Sequence, residues 1–150
     1  MSGLEGIAVQ MQPGPGAVPT AALPGLGSGV AAIAYEIAHL LERLVTHGES
    51  GAIDLRSLPM TVADRLRLQE FLGSGEVRAE INADGPSVVR ETAIPGVWWS
   101  EHRNARAELI AELIEVCPVP EILVLSNEEL ATGSVRLRDR IAALCAAHES

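Results

Sequence analysis

Lysine is absent from this chain: all eleven basic residues are arginine, and they face 20 acidic residues for a formal net charge of −9. Binding a phosphate backbone or an anionic membrane requires a positive field, so neither nucleic acid nor membrane is expected as a main partner. Without lysine there is also no phosphate-gripping P-loop residue. Aromatic residues make up 3 % of the sequence, leaving Ala, Val, Leu and Ile to build the core. Two cysteines, Cys117 and Cys145, are too few for a disulfide framework, and their separation matches no paired zinc spacing. They read as reduced thiols. No apolar run approaches the ~18 residues that cross a bilayer, and the opening residues lack the basic n-region of a signal peptide. A cytoplasmic location is the expectation. At 150 residues, one domain fits and a large multidomain enzyme does not.

The sequence divides near residue 28. Before it, Pro13, Gly14, Pro15, Gly16, Pro19, Pro24, Gly25 and Gly27 break every periodic pattern, which predicts a flexible arm over residues 1–28. Within that arm only Gly6 to Val9 could add to a sheet edge. Residues 29–150 are expected to form one domain. From Ser28, a plausible N-cap, Val30, Ile33, Ala34, Ile37, Leu40, Leu41 and Leu44 recur at helical spacing, and His47-Gly48 ends the run. Ala52 to Leu55 reads as a short strand. Thr61 with Asp64 forms a capping box for a second helix, whose inner stripe is read as Val62, Leu66, Gln69 and Leu72. Gly73-Ser74-Gly75 stops it.

Glu76 to Ile81 alternates as a half-buried strand, Asp84-Gly85 turns the chain, and Val88 to Ala93 returns antiparallel. Pro95-Gly96 is expected to break or bulge the sheet before Val97-Trp98-Trp99. Ala107 to Val116 fits a strand after an Arg103–Arg106 turn, with helix the open alternative. Ser126 to Glu129 is a second capping box, opening a last helix that Gly133-Ser134 could interrupt. Its apolar side is Val135, Leu137, Ile141, Leu144 and Cys145. The order of elements implies an α+β fold: a mainly antiparallel sheet with helices packed on one face.

Chemistry-bearing patterns are sparse. No nucleophile elbow, phosphate cradle or His-x-x-x-His pair occurs, and His39, His47, His102 and His148 are scattered. Cys145 is expected to be a buried small hydrophobe, and Cys117, before Pro118, the more exposed thiol. Glu76, Glu80, Glu91, Glu101, Glu108, Glu112 and Glu115 fall in or beside the sheet, and a solvated polar face is the expected reading. Trp98-Trp99 carries the most information. Adjacent side chains of an extended strand point to opposite faces, so one tryptophan is expected inside and the other against solvent or a partner. That geometry nominates Glu76, Glu91, Thr92, Pro95, Gly96, Trp98 and Trp99 as a protein-binding surface, with Trp98 its first-choice anchor. No catalytic, cofactor or metal residue is assigned.

Three phrases in order, Ile53-Asp54-Leu55-Arg56-Ser57-Leu58-Pro59, Leu72-Gly73-Ser74-Gly75-Glu76-Val77 and Glu91-Thr92-Ala93-Ile94-Pro95-Gly96-Val97-Trp98, resemble the C-terminal conserved region of the HupH/HyaF/HoxQ hydrogenase expression proteins. Ile114-Glu115-Val116 and Val119 to Leu123 extend the likeness. The resemblance implies an accessory, chaperone-like factor of [NiFe]-hydrogenase maturation. It would act in the cytoplasm on the hydrogenase small-subunit precursor, beside a thioredoxin-like accessory protein. It brings no catalytic residues. The alternative is a metal- or iron–sulfur-cluster-handling factor using Cys117 or His102 with nearby Glu. Self-association is left open.

Overall fold

A computed structural model describes residues 22–149. The expected arm, including Gly6 to Val9, therefore lies mostly outside the described residues. The contacts group into two compact units, one through Pro118 and the other from Val119. In the first unit, helix α1 (Ser28–His47) leads to strand β1 (Gly51–Asp54), a 3-10 turn (Leu55–Ser57) and helix α2 (Val62–Leu72). Strands β2 (Arg78–Asn82), β3 (Pro86–Glu91), β4 (Val97–Arg103) and β5 (Leu109–Val116) follow. They form a five-stranded sheet in the order β1-β5-β4-β3-β2. Every pairing is antiparallel. This is the expected α+β class.

Local chemistry explains most boundaries. α1 is capped by Gly27, with no side-chain cap bond, so Ser28 is its first helical residue instead of its N-cap. Gly48 closes α1 in the left-handed conformation, its N–H bonding Leu44 O. At α2, Thr61 Oγ1 accepts from Asp64 N at 3.1 Å, and Asp64 Oδ2 accepts from Thr61 N at 3.0 Å, completing the expected box. Residues 109–116 are strand, which closes the helix alternative. The β4–β5 turn is held by Asn104 Oδ1, which accepts from the N–H groups of Arg106 and Glu108.

The register sorts the sheet into two faces. Pairing of Val97 with Val116, Trp99 with Ile114, and Ile53 with Ile114 puts these side chains on one face. There they join Val30, Ile33 and Ile37 of α1, Leu55, and Leu68 and Leu72 of α2 in a single core. Both helices thus pack on the same side of the sheet. The α2 stripe differs from expectation. Leu68 and Leu72 are its buried residues, while Val62 is 76 % and Leu66 59 % exposed. Arg65, three residues before Leu68, also turns inward, where the buried Glu112 carboxylate pairs with it.

The second unit, by itself, contains a 3-10 turn (Glu121–Leu123) and helix α3 (Asn127–Glu149). Ser126 and Glu129 form its capping box as expected. Gly133-Ser134 does not interrupt it. No residue of α3 is buried, so its apolar positions Val135, Leu137, Ile141 and Leu144 are exposed, and so is Cys145.

Leu68→Ala should cost about 2–5 kcal/mol of unfolding free energy as a buried truncation, and Leu66→Ala about 0.5 kcal/mol or less. Denaturant melts of the two variants measure the difference, and equal losses would restore the stripe read from the sequence.

Candidate functional site

The nominated residues gather around the β3–β4 connection, and most of them serve that turn. Pro95-Gly96 lies at the hairpin turn itself, with no bulge. Thr92 N donates to Val97 O at 3.0 Å, and Val97 N to Ile94 O at 3.0 Å. Thr92 Oγ1 accepts from Ile94 N at 3.1 Å and donates to Val97 O at 2.9 Å. Gly96 adopts φ 87°, a region that L side chains rarely enter, and its carbonyl accepts from Cys117 N at 3.0 Å. The expectation that this break frees backbone groups for a partner is therefore corrected for the N–H groups of Thr92, Ile94 and Val97, which bond within the turn, and for the Gly96 carbonyl, which Cys117 takes.

Glu91 is also turned inward on the chain. Its carboxylate accepts from Glu76 N at 3.2 Å, its N–H donates to Val77 O, and its carbonyl accepts from Gly75 N. A Cβ on Gly75 would lie 2.6 Å from both Glu91 Oε2 and Thr92 O, so only glycine permits this approach. The Leu72–Val77 and Glu91–Trp98 phrases are thus two sides of one local structure. Of the nominated set, Glu76 and Pro95 are exposed, beside Ile94 at the turn.

The tryptophans do point to opposite faces, yet neither meets solvent. Trp98 is 6 % and Trp99 1 % exposed, which corrects the expectation of one exposed anchor. Each indole N–H has a buried acceptor: Trp98 Nε1 donates to Cys117 O at 3.1 Å, and Trp99 Nε1 to Glu112 Oε2 at 3.2 Å. The face opposite the helices is not bare either, for Val89, Ser100 and Trp98 are all buried on it. Ser100 Oγ donates there to the Glu115 carboxylate.

The sheet carboxylates spread over both faces. Register places Glu80, Glu101 and Glu112 on the helix side and Glu91 and Glu115 on the other. Glu112 is only 3 % exposed. Its Oε1 lies 2.9 Å from Arg65 Nη1, and the Arg90 guanidinium stacks 5.0 Å from the Trp99 ring centroid. This Arg65–Glu112–Trp99–Arg90 cluster was not foreseen from the sequence. Its signal was an acid at the position two before Ile114 and four before Val116, on the same side of a strand.

The cysteine expectations are reversed. Cys117 is buried at 7 % exposure and Cys145 is exposed. Burial, then the nearby Glu115 charge, pushes the Cys117 thiol up to about 11. It is protonated at neutral pH, and a protonated thiol is a poor nucleophile and a poor ligand. Among the described residues, no group of three or more His, Cys, Asp or Glu could hold a metal ion. His102, the other candidate ligand, pairs with Ser87 Oγ at 3.3 Å. No helix among the described residues is long and apolar enough to cross a membrane.

Native protein should therefore expose one fast-reacting thiol, Cys145, to a disulfide reagent at neutral pH, with Cys117 reacting on unfolding. Because the folded state raises the Cys117 pKa from 9.0 to about 11, its contribution to stability is present below pH 9 and lost as pH climbs towards 11. Thermal melts of the parent and Cys117→Ala across that window test the sign; a loss identical in both would refute it.

Residues 28–144 match the family described as HupH hydrogenase expression protein, C-terminal conserved region. The chain is 32 % identical over 125 residues to the hydrogenase expression/formation protein HupH of Rhodobacter capsulatus, covering 82 % of this chain and 46 % of that protein. It is 30 % identical to the hydrogenase-1 operon protein HyaF of Escherichia coli over 88 residues, 59 % of this chain and 31 % of that one. It thus spans less than half the length of these relatives. A solved structure, the hydrogenase expression protein HupH from Thiobacillus denitrificans, superposes with a TM-score of 0.71 at 39 % identity, covering 76 % of this chain and 95 % of that chain. By its sequence and by its fold, the chain belongs to the HupH hydrogenase expression protein family, through that family's C-terminal conserved region.

Proposed function

We propose that this protein is a non-catalytic accessory factor of [NiFe]-hydrogenase maturation that binds the hydrogenase small-subunit precursor in the cytoplasm, alongside a thioredoxin-like accessory protein. The observation that carries the reading is family membership across residues 28–144, whose relatives are named for hydrogenase expression and formation. The geometry adds support. A hairpin turn closed by Thr92 and braced by Glu91 presents Ile94 and Pro95 to solvent, with Glu76 beside it. The buried tryptophans act beneath this surface as struts, not as anchors. A rigid turn loses little entropy on binding, and the net charge of −9 favours a partner segment bearing positive charge. Metal or cluster handling is the weaker reading, since Cys117 is buried and protonated.

Calorimetric titration with the small-subunit precursor tests this directly. Ile94→Arg and Glu76→Arg should each weaken binding about tenfold while leaving the fold intact. Trp98→Ala and Trp99→Ala should instead each lose about 3–5 kcal/mol of stability. A precursor that does not bind the parent protein, or that binds both hairpin variants equally well, would refute the reading.

A further inference from the structure

A second surface lies on the opposite edge of the sheet from β2. Strand β1 is an edge strand, paired on one side with β5 and with no other strand among the described residues. An open edge offers main-chain N–H and C=O groups to an extended segment. Beside it is a pocket of about 380 Å³, walled by Ala32 and Ile33 of α1, Ile53 of β1, and Leu58 and Met60. Its lining is almost entirely apolar, and its two charged members, Glu36 and Asp64, are both acidic. Glu36 is exposed and forms no ion pair among the described residues. Thr61 hydrogen bonds, then Arg67, whose Nη1 lies 3.4 Å from Oδ1, hold the Asp64 carboxyl below its usual range, so Glu36 is the rim acid without an ion pair among the described residues.

We infer that this edge and pocket form a docking site for an extended segment of a partner protein, one that pairs with β1, buries one bulky aliphatic side chain, and carries arginines on either side of it. Strand geometry sets the spacing. Residues two apart share a face, so an Arg-x-Leu-x-Arg pattern places the leucine in the pocket and both guanidinium groups on the side of Glu36 and Asp64. The acidic rim excludes a segment with flanking carboxylates. This goes beyond the precursor-binding reading, which rests on the β3–β4 hairpin and could fail while this site stands.

The test uses the full chain and a fluorescein-labelled peptide, Gly-Thr-Arg-Thr-Leu-Thr-Arg-Thr-Gly, followed by fluorescence anisotropy. Replacing the leucine by serine, or both arginines by glutamates, should each weaken binding about tenfold or more. On the protein, Ala32→Trp fills the pocket from an exposed helix position and Glu36→Arg reverses the rim; each should cause a similar loss with unchanged melting. Ala32→Ser, which leaves the pocket open, should bind like the parent. The inference fails if the peptide shows no binding up to about 1 mM, if the serine peptide binds equally well, or if Ala32→Trp and Glu36→Arg bind like the parent. It also fails if light scattering shows a dimer that either substitution dissociates, because the occupant is then a second copy of this chain.

Discussion

The burial of Trp99 is the constraint on which the rest of the sheet depends. An indole of this size removes about 200 Å² from water, worth about 5 kcal/mol at ~25 cal/mol per Å², but it takes a polar N–H with it. Glu112 Oε2 accepts its hydrogen bond, which in turn buries a carboxylate, and a lone buried carboxylate is costly. Arg65 answers the charge from α2. The chain of requirement thus runs from a strand residue to a helix residue and fixes how α2 rotates on the sheet. Breaking such a pair from one side commonly costs about 3–5 kcal/mol. Arg90 covers the ring from β3, so three strands and a helix meet at one side chain.

The hairpin beside this cluster follows from the same register. Trp98 must face away from Trp99, and it settles by donating to Cys117 O at the end of β5. The Gly96 carbonyl takes the N–H of the same Cys117. The turn is therefore tied to β5 as well as to β3, and it cannot swing as a free loop. The one buried thiol nearby is held protonated.

Acidic character is distributed in an orderly way. One glutamate is consumed inside the core, Glu91 braces a loop, and Glu36 and Asp64 stand at the mouth of an apolar pocket. A net charge of −9 is thus the sum of side chains with different tasks. It is not a uniform solvated face.

Local pattern alone determined much of this protein. The α1 stripe, the Thr61–Asp64 and Ser126–Glu129 boxes, the β2–β3 hairpin and the α+β class are all encoded within a few residues, where capping, turn chemistry and periodicity act. The family, too, was legible in the three ordered phrases. Tertiary contact decided the rest. Arg65 lies inward because Glu112 is opposite it, far away in sequence. Trp98 is buried because Cys117 offers a carbonyl nineteen residues on. Cys117 and Cys145 exchange their expected environments because a strand end can be enclosed by its neighbours, whereas an amphipathic helix buries its stripe only where another element covers it. Periodicity tells which residues share a side; only packing tells whether that side is covered.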